Sequence, residues 1–445
     1  MTTNHSILNQ TGHDGTTELV GWTLESEGRG TLTLILSCLA TTALCTWIVI
    51  HPRVYRQKRH RLLHKAFLWL KTIIAPELIA VEAAQEWTQA RRVIRDSAKA
   101  TDGQLCTVQA FYVGMFGLRY RSSLGTKVLW PNQFIWLLNQ DLLDWQQHRE
   151  WGLRPESIKD KSNADTTVKI FALVQVAWFV AQSVMRTVHQ LPLAPLETMT
   201  LSYIPLFVVA YGYWWLKPKD IETPSEIELP VMTSDQREKF DQLAIDNRWD
   251  DDDASGQESM RSVWTLTPRI FEKEAADNAY EQAKRRYHEA RVLRDKHIVE
   301  CREAECSNAC HDLIPAPLRR KETILAHWDP ELYHSKILWP LCCLVGISFP
   351  ALHLLSWNST FPTIVELWLW RASAIASIVA MLVFMQFEKI VVRWQDPLML
   401  VKIVSPVIYL VTRVIMLAVV FAAFRAADPR IYETYVASTY WVHIL

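Results

Sequence analysis

The sequence carries no excess of either charge, with 47 Lys and Arg against 47 Asp and Glu. A global basic field for nucleic acid is therefore excluded, and no nucleic-acid partner is expected. Cysteine is scarce: there are eight, and none falls in a loop assigned below to the lumenal side, so no disulfide framework is expected. The first thirty residues are polar, with no short apolar stretch near Met1. A cleavable signal peptide is not expected, and the first apolar run reads as a retained signal-anchor. No P-loop, GxGxxG, GxSxG, HExxH or kinase motif occurs. No metal site is expected, and no cofactor is indicated.

What the chain does have is apolar length. Half of its 445 residues are hydrophobic, yet the mean hydropathy is near zero, because long apolar runs alternate with highly charged segments. Twenty Trp are present, many at the ends of those runs, such as Trp47, Trp178, Trp214, Trp215, Trp339 and Trp357. Interfacial aromatic belts place Trp there. The expectation is an all-α polytopic membrane protein with about six transmembrane helices, partnered by a lipid bilayer.

The stretch Gly21–Lys65 sets the threading. An acidic tail, residues 1–30, leads into a first span at 31–50, and Arg53, Arg56, Lys58, Arg59, Arg61 and Lys65 follow. The positive-inside rule puts that basic side in the cytosol and the N-terminus in the lumen or outside. Residues 51–167 read as a cytosolic amphipathic helical segment. Phe67–Ala75 is too short to cross, and Pro76 opens a helix with Glu77, Glu82 and Glu86. The stretch LWPNQFIWLLNQDLLDWQQHREW has helical spacing and suits either the interface plane or the core of a small cytosolic domain.

Further spans are expected at 168–187 and 198–216, joined by a lumenal loop without Lys or Arg. Residues 217–335 then form a long cytosolic loop. Asp220–Gly256 is rich in Pro, Asp and Glu and reads as disordered, whereas Arg269–Glu305 has the charge pattern of an exposed helix. The last spans are expected at 337–356, 363–387 and 398–424, followed by a lumenal tail at 425–445. Three glycosylation sequons, at Asn4, Asn9 and Asn358, all fall on the lumenal side of this topology, although they were not used to orient it.

Several passages resemble a large group of filamentous-fungal multi-pass membrane proteins. GWTLESEGRGT before a run holding Cys38 and Cys45 is similar to their GW-x-x-EP-x-x-RGT opening. APELIAVEAAQEW (75–87), IKDKSNAD (158–165), WWLKPKDIETP (214–224) and VTRVIMLAVVFAAFR (411–425) are similar too. The resemblance implies a fungal source and this topology, and it implies no mechanism. Ser26 stands where the group has Pro, and the C-terminal Pro-His-Ile pattern is reduced to Val442-His443-Ile444.

Candidate chemistry centres on Arg413, near the middle of the sixth span, because a charge at bilayer depth must face protein or water. It reads as a ligand contact within the bundle or as one half of a structural ion pair, with Glu366 and Glu197 as candidate partners. Glu25 and Arg29, at i,i+4 spacing before the first span, pair, cap the helix or line a lumenal ligand site. Glu82 and Glu86 share a helix face and suit acid–base work, a divalent ion, or solvation. Trp249 followed by Asp250–Asp253 suggests a diphosphate–Mg2+ motif, but reads better as a disordered acidic segment. The run of His297, Cys301, Cys306, Cys310 and His311 lacks zinc-finger spacing. His189 and His353 lack the spacing of a haem pair on one helix.

The leading functional expectation is a membrane-embedded enzyme, or an accessory protein, in the biosynthesis of a lipophilic secondary metabolite. It calls for an enclosed apolar pocket holding at least two of Glu25, Arg29, Glu197, Glu366 and Arg413. The alternatives are a transporter, channel or sensor, and a scaffold that binds a cytosolic protein through 217–335. The endoplasmic reticulum, another endomembrane or the plasma membrane is the expected location.

Overall fold

In a computed structural model, the described residues are 19–24, 29–54, 58–122, 125–162, 166–246, 335–387 and 398–434, with Val292 in between. In chain order the helices are α1 (Thr31–Val49), α2 (Lys58–Ile74), α3 (Pro76–Ser97), α4 (Thr107–Gly114), α5 (Pro131–Asn139), α6 (Pro155–Lys161), α7 (Thr166–Val188), α8 (Pro195–Tyr213), α9 (Ser234–Asp246), α10 (Leu338–Leu352), α11 (Ile364–Phe387) and α12 (Leu398–Ala422). Three short strands join them: β1 (Leu118–Ser122), β2 (Gly125–Val128) and β3 (Ser225–Ile227).

Among the described residues, five helical stretches are long and apolar enough to cross a bilayer: Thr31–Val49, Ile170–Val188, Leu338–Ser356, Ile364–Gln386 and Val404–Arg425. The chain is thus a mostly helical, polytopic membrane protein. The third expected span, 198–216, folds as α8, which is not among those five. Its 19 residues extend about 28 Å. Glu197, Thr198, Thr200, Ser202 and Tyr203 are polar, and all are buried against neighbouring helices. A central position, with most of the helix packed against its neighbours, explains how α8 carries those polar residues.

The ends of α8 match those of α1. Arg29 Nη2 meets Glu197 Oε1 at 2.6 Å where both helices begin. Where both finish, Lys217 Nζ donates to the His51 carbonyl and Lys219 Nζ to the Ile48 carbonyl, each at 3.0 Å. The two helices therefore cover the same depth in the same direction. At the Arg29 end, Ser356 Oγ donates to Thr198 Oγ1 at 2.6 Å, and Glu366 pairs with Arg425. Arg186, at the end of α7, donates there to the carbonyls of Pro192, Arg430, Ile431 and Glu433. A bridge between Val20 and Ala427 brings the two outer segments of the chain together at that end. At the opposite end Gln386 reaches Cys343 Sγ at 3.6 Å. These ties make α1, α7, α8, α10, α11 and α12 alternate in direction through one bundle.

Residues 51–167 do not all stay outside it. The helices α2 and α3 form a hairpin whose tip, Ile74-Ala75-Pro76, sits deep in the bundle. Pro76 has no N–H and a φ suited to the first helical position, so α3 starts there. The last carbonyls of α2 are then left without intrahelical donors. At depth they need side-chain partners, because lipid offers none. Tyr203 Oη donates to the Ile73 carbonyl at 2.6 Å, and Arg413 Nε to the Ile74 carbonyl at 3.1 Å. Tyr203 lies midway along α8. Below the tip, Lys71 and Glu82 join the two arms at 2.7 Å. Buried Ala75, Ala80, Ala83 and Ala84 let the tip half of α3 pack closely. Phe67–Ala75 is indeed too short to cross; it enters and turns back.

At the Lys217 end, residues 98–162 and 217–246 build a small domain around a sheet of order β2-β1-β3. β1 and β2 are antiparallel, with Arg119 opposite Val128, and β3 adds in parallel, with Leu118 opposite Ser225. The LWPNQFIWLL stretch supplies this domain's core: Phe134, Leu137 and Leu138 are buried, and Gln133 Nε2 donates to the Phe240 carbonyl at 2.9 Å. The expectation of disorder over Asp220–Gly256 fails as far as Asp246. Ile221, Ile227 and Phe240 are buried in an otherwise polar composition, and β1 provides the edge on which β3 forms. Residues 247–256, Asp250–Asp253, the helix expected over 269–305 apart from Val292, and the His297–His311 cluster lie outside the described residues. So do Asn4, Asn9, Glu25, Ser26 and Val442–Ile444.

Candidate functional site

The α2–α3 tip gathers the ionisable groups of the bundle interior. Arg413 on α12 is only 4% exposed. Its Nε holds the Ile74 carbonyl, its Nη2 lies 3.5 Å from Tyr203 Oη, and its guanidinium lies 4.1 Å from the Phe349 ring centroid. His353 is fully buried, and its Nδ1 is 2.7 Å from the Phe349 carbonyl. A carbonyl only accepts, so Nδ1 carries the proton and the Nε2 lone pair faces Arg413 Nη1 at 3.4 Å. Tyr409 Oη donates to the Ile74 carbonyl at 3.4 Å.

Glu77, in the first turn of α3, completes the cluster. It is fully buried, and neither carboxyl oxygen has a hydrogen-bond partner. The Tyr409 hydroxyl and the Arg413 charge both act on it, but Tyr409 falls short of hydrogen-bond geometry to either oxygen. The site thus offers one fixed cation, one buried carboxyl with open acceptor positions, and an imidazole whose tautomer is set.

Sequence reasoning singled out Arg413, and it named Glu77 and His353 in other roles without placing them beside it. Glu366 and Glu197, the candidate partners, pair with Arg425 and Arg29 instead. Arg29 binds Glu197, and Glu197 Oε2 also accepts from the Ala194 N–H at 2.9 Å. The Arg29–Glu197 and Glu366–Arg425 pairs are therefore ties between helix ends. His189 is exposed after α7, whereas His353 is buried. Glu82 and Glu86, on one helix face, bind Lys71 and Lys217 separately. Among the described residues no group of His, Cys, Asp and Glu is arranged to hold a metal.

Lys217, at the start of the loop expected over 217–335, marks a second buried polar layer. Its Nζ meets Glu86 Oε2 at 2.5 Å and lies 4.4 Å from the Trp214 ring centroid. Burial pushes the Lys217 ammonium below the usual lysine value, while Glu86 and then Glu82 work against that shift. Two of the quoted motifs meet here, since Glu86 belongs to APELIAVEAAQEW and Lys217 to WWLKPKDIETP. A third joins them: Ser162 of IKDKSNAD accepts from the Lys219 N–H at 2.9 Å.

Between these polar layers lies an apolar cavity of about 400 Å3. α3 contributes Ala80, Val81, Ala84 and Trp87, α8 contributes Val208, Val209, Gly212 and Tyr213, and α10 contributes Leu341, Cys342 and Val345. It holds none of the five residues expected to line a pocket. A second cavity, by Cys45 and Phe207, has only about 10 Å3 and is too small for a ligand.

A model of a family of unknown function matches residues 4–109 and 148–286, more than half of the chain. The chain belongs to that family, DUF8562. The DUF8562 match includes α2, α3, α7 and α8, and with them Glu77, Glu86, Glu197 and Lys217. It stops before α10, so Arg413, His353 and one wall of the cavity come from outside it. No curated protein and no solved structure matches the chain.

Proposed function

We propose that this protein handles a lipophilic small molecule inside its membrane bundle, as an embedded enzyme or as an accessory protein in that molecule's biosynthesis. The observation that carries this reading is the cavity between α3, α8 and α10. Its volume falls within the roughly 300–1,000 Å3 of small-molecule sites, and its lining side chains are mainly apolar. It opens on the side where Val208 and Leu341 are exposed, and it lies one helical turn from a buried polar cluster, so an apolar lining stands beside a few polar groups, as in ligand sites. In this reading the Arg29 end is lumenal or extracellular, the small domain is cytosolic, and the membrane is an endomembrane or the plasma membrane of a fungal cell.

The test compares lipid-soluble metabolites in wild type, a deletion strain and a Gly212→Leu strain. A Cβ at Gly212 meets nothing within 4 Å, so a larger side chain can fill the cavity without a clash at its base. Loss of one product and accumulation of a precursor in both mutants, at unchanged protein level, is expected. An unchanged profile in the deletion strain overturns the metabolic reading.

One observation favours transport as a second reading. A helix break at bilayer depth, facing polar side chains, is how many transporters form a substrate site. That reading requires water to reach the tip. Labelling of a Tyr203→Cys variant by a membrane-impermeant thiol reagent would support it, and full protection would count against it.

A further inference from the structure

We propose that the cavity takes a long-chain carboxylic acid from the leaflet on the small-domain side, and that Trp87, Tyr213 and Arg91 hold its carboxylate. This proposal rests on the cavity being a small-molecule site.

The cavity is open at its side. Val208 is 52% exposed and Leu341 47% exposed. Gly212, one turn beyond Val208, is also exposed and leaves the gap between α8 and α10 without a side chain. At this depth an exposed surface of the bundle meets lipid, so an occupant enters from the bilayer. The lining extends from Ala80 to Trp87 on α3, about 10 Å at 1.5 Å per residue. It is aliphatic apart from Cys342 and the two aromatic side chains.

Those two side chains line the end nearest the small domain, because α3 leads away from the buried tip and α8 leads to Lys217. The Trp87 and Tyr213 ring centroids are 5.5 Å apart. Both residues are half-buried, and among the described residues neither the indole N–H nor the hydroxyl has a hydrogen-bond partner. Neither is sealed in, unlike the indole N–H of the adjacent Trp214. The Arg91 guanidinium lies 4.9 Å from the Trp87 ring centroid. Arg91 is exposed and has no ion pair among the described residues. Glu86, next to Trp87 in sequence, is already neutralised by Lys217.

This end therefore offers an N–H, an O–H and a guanidinium, all able to donate. A carboxylate accepts from all three, and its single charge matches that of Arg91. Stacking on Trp87 orients the guanidinium in advance. An ester accepts without supplying the charge, and an ammonium head is repelled. A phosphate monoester brings about −1.5 to −2 against this one cation. Trp and Tyr at this level match an interfacial belt, so the carboxylate stays among the headgroups while the chain lies between the helices.

The experiment uses the full chain in phosphatidylcholine nanodiscs, at a pH where the acid is ionised. Palmitate, methyl palmitate and hexadecyl phosphate are the probes. Binding is measured to wild type, Arg91→Gln, the Arg91→Gln/Tyr213→Phe double variant and Gly212→Leu. Wild type is expected to hold palmitate about 10-fold more tightly than the ester, the effect of one hydrogen bond to a charged group. Arg91→Gln should cost palmitate about 2- to 5-fold, as for an exposed ion pair. The double variant should bring palmitate to the affinity of the ester, and Gly212→Leu should weaken both. Arg91 is exposed and Tyr213→Phe removes only a hydroxyl, so these variants keep the fold. An undiminished preference for palmitate in the double variant, or none in wild type, overturns the anchor, while ester binding that is sensitive to Gly212→Leu keeps the cavity site. Tighter binding of hexadecyl phosphate than of palmitate overturns the carboxylate assignment. Failure of all three probes to bind wild type overturns the cavity site as well.

Discussion

Replacing Arg413 by Met tests how the α2–α3 tip is held at depth. The thioether chain keeps most of the packing against Phe349 but removes the charge and the donor to Ile74. Removing one member of a buried charge pair typically costs about 3–5 kcal/mol, because the other charge is left uncompensated. Here Glu77 is fully buried and feels the Arg413 charge, but the two form no ion pair, so the loss should fall at or below the low end of that range. The Ile74 carbonyl adds little, about 1 kcal/mol, since Tyr409 remains within 3.4 Å of it. Neutralising both groups should therefore restore stability. The Arg413→Met/Glu77→Gln double variant is expected to recover about 2 kcal/mol relative to Arg413→Met, within the range of coupling seen between contacting groups. The assay is equilibrium unfolding by SDS in mixed micelles, with each single variant and the double compared with wild type. A double variant that loses the sum of the two singles would refute the argument, because it would show that Arg413 and Glu77 do not sense each other.

Four further outcomes are expected. Gly117→Ala should destabilise the small domain by about 1–3 kcal/mol, since the new Cβ would fall 2.5 Å from the Tyr112 ring, whose hydroxyl is fixed 3.0 Å from Ser225 Oγ; limited proteolysis reads this. Lys217→Met should cost about 3 kcal/mol in thermal unfolding, with partial recovery on adding Glu86→Gln, because the pair is buried and the His51 carbonyl also loses its donor. Asp428 is partly desolvated, but hydrogen bonds from the Arg430 side chain and N–H and its nearby charge more than offset this and hold the carboxyl below the usual aspartate range. Its contribution is complete above the unfolded value near pH 3.9 and is lost as pH falls through the lower folded value, so Asp428→Asn should flatten the acid limb of a stability–pH curve. Asn358 is exposed between α10 and α11, and Asn358→Gln should abolish an endoglycosidase-sensitive mobility shift if the Arg29 end is lumenal.

The membrane helices were legible because each is a long apolar run bounded by Trp and charge. α8 was legible as the apolar run at 198–216, although it buries Glu197, Thr198, Thr200, Ser202 and Tyr203. The hairpin was not legible. Phe67–Ala75 is short and carries Lys71, whose charge is met by Glu82 only after the chain has turned back. Pro76-Glu77 was visible as a helix start, but nothing local says that the start lies at the depth of Arg413, 339 positions from Ile74. The same separation defeats partner assignment. Glu366 and Glu197 were chosen for their depth near span ends, and each found a closer cation in Arg425 or Arg29. β3 is three residues long and pairs in parallel with a strand more than a hundred residues earlier, so its pattern could not announce itself. The cavity is likewise a gap between helices distant in sequence, and its lining residues look like ordinary helix filler.

The most direct test of the central claim is native mass spectrometry of the full chain released from its own membranes, comparing wild type with Gly212→Leu. The account predicts a discrete lipophilic adduct on wild type that is lost or much reduced when the α3–α8–α10 cavity is filled. The same adduct on both proteins at equal occupancy, or none on wild type, would contradict it.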